Sequence, residues 1–152
     1  MKLGHICNML WEENMSKDYK LPNWVKVNVT NELYHYWENV KLLEELKDEI
    51  MESSSAPTDG QPRGNQRGKP TESKVMKLNS RAILVTANKI MQIENVIKML
   101  NESEKEVFNL IFKERLNNIQ VYERKKIGRY TYYNVKNKVI WLVSIEMGYL
   151  ID

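Results

Sequence analysis

Nine side chains between positions 124 and 138 are of types that grip or read nucleic acid. Arg129 carries the fork that pairs bidentately with guanine, and Asn134 the amide that pairs with adenine. Tyr130 and Thr131 offer a hydroxyl to a phosphate or an apolar edge to a thymine methyl. Arg124, Lys125 and Lys126, just upstream, are placed for phosphates, while Asn137 and Lys138 are expected on the same outward face. Between Lys113 and Lys138 eight basic residues stand against two acidic ones. A phosphate-binding surface requires that concentration of positive charge. Any one of these residues alone reads equally well as an ordinary solvated charge; the cluster favours DNA.

Presenting these groups to a groove takes a helix held at a fixed angle by a second helix, and residues 100–148 supply the pattern. Asn101 followed by Glu104 is close to a capping box, with Leu100 placed for a hydrophobic staple. Val107, Phe108, Leu110, Ile111 and Phe112 are the buried side of the helix that follows, and Leu116-Asn117-Asn118 ends it. Ile119, Val121 and Tyr122 belong to a short helix running to about Lys126. Gly128 is expected to take the left-handed geometry of the corner. The last helix runs from Arg129 or Tyr130 to about Met147, where Gly148 stops it. Its buried stripe is expected to be Tyr132, Val135, Val139, Leu142 and Val143.

Upstream, the sequence predicts three further parts. Residues 1–30 form an N-terminal extension in which Val25, Val27 and Val29 alternate as a brief extended run towards Thr30, a suitable helix cap. With GAG at Glu12, the codons of Trp11 to Asn14 contain the purine run of a bacterial ribosome-binding site just before Met15. A natural start at Met15 is one reading, with an ordinary loosely docked terminus as the other. Residues 31–52 read as an acidic amphipathic helix, with Leu33, Tyr36 or Trp37, Val40, Leu43 or Leu42, Leu46 and Ile50 recurring every three to four positions. Residues 53–74 are a Ser-, Pro- and Gly-rich linker too polar to offset the entropy of ordering. Its cations Arg63, Arg67 and Lys69 are either solvated or a mobile DNA-binding arm. Residues 75–152 form the helix-turn-helix domain, opened by a helix capped at Asn79 or Ser80 that buries Ile83, Ala87, Ile90, Ile93, Ile97 and Leu100. The expected fold is therefore all-α: an N-terminal helix, a flexible linker and a C-terminal helical domain.

Charge is divided along the chain. Residues 1–52 carry six basic and ten acidic side chains, and the remainder seventeen and ten, for a net charge of +3. The single Cys7 forms no internal disulfide and, with His5 and His35 far apart, no metal site. The lone cysteine reads as that of a protein of the reducing cytoplasm, and no stretch reaches the roughly 18 apolar residues of a membrane span. No catalytic constellation is visible. Glu44-Glu45 and Asp48-Glu49 read as a solvated acidic face, and Lys69 is followed by Pro, which excludes a phosphate loop. Neither an enzyme nor a cofactor is expected.

Taken in order, several short motifs resemble the RinA-type transcriptional activators of bacteriophages, with the ArpU-type phage regulators as kin. They are Glu32-Leu33-Tyr34-His35-Tyr36-Trp37, Gly68-Lys69-Pro70-Thr71, Leu100-Asn101-Glu102-Ser103-Glu104, Val107-Phe108, Thr131-Tyr132-Tyr133 and Glu146-Met147-Gly148. The resemblance covers about residues 31–152, and Ile127-Gly128-Arg129 departs from the small polar residue usual at that turn. It implies a C-terminal module like the fourth region of sigma factors that binds double-stranded promoter DNA and activates late genes in a bacterial host. Host RNA polymerase is a candidate partner, and the 31–52 stripe permits a homodimer. Two other roles compete: a packaging protein such as a small terminase subunit, and an adaptor that docks on RNA polymerase without reading DNA.

Overall fold

The computed structural model describes residues 21–52 and 80–149. The leader before Met15, the 53–74 linker with Arg63, Arg67 and Lys69, and the Gly68-Lys69-Pro70-Thr71 motif lie outside the described residues. Among the described residues the chain is all-helical, without a strand. The elements are α1 (Asn23–Glu52), α2 (Arg81–Met99), α3 (Glu102–Phe108), a π-helical turn (Asn109–Lys113), α4 (Asn118–Lys125) and α5 (Arg129–Glu146).

Helix α1 starts earlier than its sequence pattern suggests. The helix begins at Asn23, and Thr30 is interior to it rather than a cap. The Pro22 carbonyl accepts bonds from the amides of Val25 and Lys26 at 3.1 and 3.2 Å, so the helix opens directly after the proline. Val25, Val29 and Leu33 are wholly buried, whereas Val27 is half exposed. The alternating valines looked like a strand face because two of them also satisfy the four-residue spacing of a helix.

The chain divides into two units, Met1–Trp37 with Met91–Asp152, and Glu38–Ile90. Helices α1 and α2 each contribute to both. Within the Glu38–Ile90 unit the described core is thin. Leu43 and Ile90 are buried, while Leu42, Leu84 and Val85 are about half exposed. Lys41 and Glu45 form an exposed pair at 3.6 Å, of the kind that contributes little to stability.

The larger unit holds α3, the π-helical turn, α4 and α5. From α2 and the residue after it the unit receives Ile93, Val96 and Leu100 as buried residues; Val96, not the expected Ile97, is the wholly enclosed one. The Asn101 capping box forms as expected. Its side chain accepts from the Glu104 amide at 2.8 Å, and the Glu104 carboxylate accepts from the Asn101 amide at 3.0 Å. The staple does not form, because the position that would meet Leu100 is Lys105, which pairs with Glu102 at 2.7 Å.

Val107, Phe108, Leu110, Ile111 and Phe112 are all buried. Five apolar residues in six positions overfill one face of a 3.6-residue helix, and the backbone accommodates them by widening into the π turn. Aromatic contacts tie this segment to α1. Tyr34 meets Phe112 at 5.3 Å and Trp37 meets Phe108 at 5.6 Å between ring centroids. Arg115, in left-handed geometry with φ 55°, turns the chain towards α4 and donates to the Tyr34 carbonyl at 3.2 Å.

Candidate nucleic-acid interface

Two helices and a three-residue turn build the site. Asn117 caps α4 through a second box, in which its side chain accepts from the Gln120 amide at 3.0 Å and its own amide donates to the Gln120 side chain at 3.0 Å. Val121 is wholly buried, and the Tyr122 ring meets Tyr132 of α5 edge-on at 5.3 Å. The turn is Lys126-Ile127-Gly128. Here the left-handed residue is Lys126, with φ 52° and ψ 41°, and not Gly128. Gly128 is extended at φ −79° and ψ 164° and stands at the N-cap of α5 without a side chain to close it. No atom lies within 4 Å of where its Cβ would be. The amides of the first turn of α5 are therefore not capped by a side chain, as suits an anion.

The stripe expected to hold α5 in place is buried as read: Tyr132, Val135, Val139, Leu142 and Val143. Burial also raises the Tyr132 hydroxyl above its usual range, with the neighbouring tyrosines Tyr34, Tyr133 and Tyr122 adding to the shift. At its far end α5 closes on Gly148 in left-handed geometry, φ 73°. There the Gln92 side chain of α2 donates to the Glu146 carbonyl at 2.8 Å, and Trp24 meets Tyr149 edge-on at 5.7 Å.

Of the nine sequence-chosen residues, Arg129, Tyr130, Thr131 and Asn137 are exposed and Asn134 is half-buried, all on the first two turns of α5 or just beyond. Tyr130 is 78% exposed. Tyr133 belongs with them and was missed. It is more than one-third exposed, and the Arg129 guanidinium lies over its ring at 5.6 Å from the centroid. Its position three residues after Tyr130 and four after Arg129 was the available signal. Arg129, Tyr130, Tyr133, Asn134 and Asn137 line a concavity of about 490 Å3.

Comparison with known proteins brings no match. Neither a family model, a curated protein nor a solved structure matches the chain.

Three basic residues behave differently from expectation. Lys138 does not face outward. It is 6% exposed, and its ammonium donates to the Glu104 carboxylate at 2.7 Å, the same carboxylate that closes the α3 capping box. A position with Val139 and Ile140 buried beside it leaves no route to a groove. Lys125 pairs with Glu106 of α3, and Arg124 with Glu114 at 2.5 Å. These two pairs are partly exposed, so a phosphate can compete for either cation, but neither is idle as the sequence implied. Lys126 is exposed and forms no ion pair among the described residues.

Among the described residues no group of three or more His, Cys, Asp or Glu side chains is arranged for a metal ion. The exposed His35 ring bonds the Asn31 carbonyl one turn back at 2.7 Å. No helix among the described residues is long and apolar enough to cross a membrane.

Proposed function

We propose that this protein binds double-stranded promoter DNA through α5 and acts as a transcriptional regulator, an activator of phage late genes. One observation carries the reading. From Arg124 to Ile145 the chain has six cations and no carboxylate, and the first turns of the helix within it keep Arg129, Tyr130, Thr131, Asn134 and Asn137 accessible. A recognition helix contacts base edges with its first turns, while flanking cations and amides hold the phosphates. Lys126 and the uncapped start of α5 supply that grip. The resemblance to RinA-type activators supports the regulatory role, and with it a site of action in the bacterial cytoplasm beside host RNA polymerase.

The test is the salt dependence of binding to a labelled duplex carrying a phage late promoter. Lys126→Ala weakens binding to every duplex and lowers the log–log salt slope by about one. Glu106→Gln frees Lys125 and steepens the slope by a similar amount. Asn134→Ala and Arg129→Ala instead erase about 1–3 kcal/mol of preference at one base pair each. A slope unchanged by Lys126→Ala and Glu106→Gln, together with base preference unchanged by Asn134→Ala and Arg129→Ala, would remove α5 and its turn from the DNA.

A further inference from the structure

The exposed face of α5 carries more aromatic surface than duplex reading uses. Tyr130 is 78% exposed and Tyr133 38%, one turn apart on the same side of the helix. Arg129 lies over the Tyr133 ring, and the amides of Asn134 and Asn137 follow on the next turns. Together they line the concavity of about 490 Å3, whose wall is mainly ring and aliphatic surface.

Shape and chemistry both bear on the ligand. The bases of an intact duplex are stacked, so their faces are covered and only their edges are presented, at the floor of a groove. Reading an edge calls for side chains that protrude. A concave wall of rings instead fits something that protrudes towards the protein and has a bare π-face. An unpaired nucleobase has both properties. Stacking on an exposed tyrosine ring or on the outer face of a guanidinium is indifferent to sequence, because every base has such a face. Side-chain amides beside the rings then find the hydrogen-bonding edge that pairing would have occupied.

The geometry points to a binding site for an unpaired base on α5, formed by Tyr130, Tyr133 and Arg129 with Asn134 and Asn137 at its rim. The protein accordingly prefers DNA in which a short segment is open. The inference rests on the assignment of α5 as the DNA-facing helix and adds a second class of ligand to that same surface. Binding to an opened segment suits a protein that works where strands separate.

The experiment compares two labelled hairpins of one sequence, one fully paired and one with a central bubble of unpaired thymines, using the full-length protein. The bubble binds about 5- to 150-fold more tightly, the span expected for one stacked base. Tyr130→Ala and Tyr133→Ala each shrink that ratio towards one. Lys126→Ala lowers both affinities and keeps the ratio, because phosphates are present in both probes. Far-ultraviolet circular dichroism confirms that the tyrosine variants remain folded, as expected for two partly exposed side chains. Equal binding of the two hairpins overturns the unpaired-base site and leaves duplex recognition standing. A bubble preference that survives loss of both tyrosines overturns it as well. Failure to bind the paired hairpin overturns duplex recognition itself.

Discussion

The two halves of α5 are different kinds of helix. From Arg129 to Asn137 the residues alternate between a buried stripe and an exposed polar face, and Tyr132 and Val135 alone are buried. From Lys138 to Ser144 seven consecutive residues are buried, the Ser144 hydroxyl satisfied by the Ile140 carbonyl at 2.6 Å. A helix buried on all sides belongs to a core, and an amphipathic one belongs to a surface. One continuous helix therefore anchors itself with its second half and presents side chains with its first. Lys138 marks the boundary. By residue type it belongs to the exposed half, and by environment to the buried one.

The largest effect should come from cutting the anchor. Trp141→Ala removes a side chain 6% exposed and should cost about 3–5 kcal/mol in denaturant unfolding. Arg129→Ala, on the other half, should stay within about 0.5 kcal/mol. Comparable losses from both would erase the distinction.

At the boundary, Lys138→Met leaves the Glu104 carboxylate without its ammonium partner. Breaking a buried pair typically costs about 3–5 kcal/mol, and the 15% exposure of the Glu104 side chain places this one at about 2–3. Pairing it with Glu104→Gln should recover part of the loss, because a neutral amide needs no counter-charge. Unchanged stability in the single variant would show that Lys138 is solvated after all.

The turn offers a smaller and opposite effect. Lys126 holds left-handed geometry that costs a non-glycine residue about 1–2 kcal/mol, so Lys126→Gly should stabilise the fold by about 1 kcal/mol. The same substitution should flatten the salt slope of DNA binding by about one. Gains in stability and losses in affinity then come from one position, which separates the role of its backbone from that of its charge.

The smallest effect lies at alkaline pH. Burial raises the hydroxyls of Tyr36 and Tyr132 above their ordinary value of 10.0, and for Tyr36 the Glu94 carboxylate raises it further. Protons are held more tightly in the folded chain than in the unfolded one. The stability this contributes is present below about pH 10 and is lost as pH rises through the raised folded values. Replacing both residues by Phe should reduce the slope of stability against pH above 10, measured by urea unfolding.

Local signals survived from sequence to structure better than long-range ones. The Asn101 box, the stop at Gly148 and the buried stripe of α5 were legible because each depends on residues within a turn or two. The valines of early α1 were misread because period two and a four-residue spacing coincide over a short run. Gly128 was assigned the left-handed corner by residue type, but the carbonyl of Tyr122, which accepts from the amides of both Lys126 and Ile127, places the turn two residues earlier. The partners of Lys125 and Lys138 lie 19 and 34 residues away, beyond any local pattern. For that reason the sequence could mark the basic residues but not tell which of them were already engaged.

The division of α5 is tested most directly by mapping backbone amide shifts while a promoter duplex is titrated into the labelled protein. Changes concentrated between Lys126 and Asn137, with residues 139–144 quiet, are the expected result. Changes confined to the Glu38–Ile90 unit, or their absence at a duplex concentration that saturates binding, would contradict the assignment of α5 to DNA.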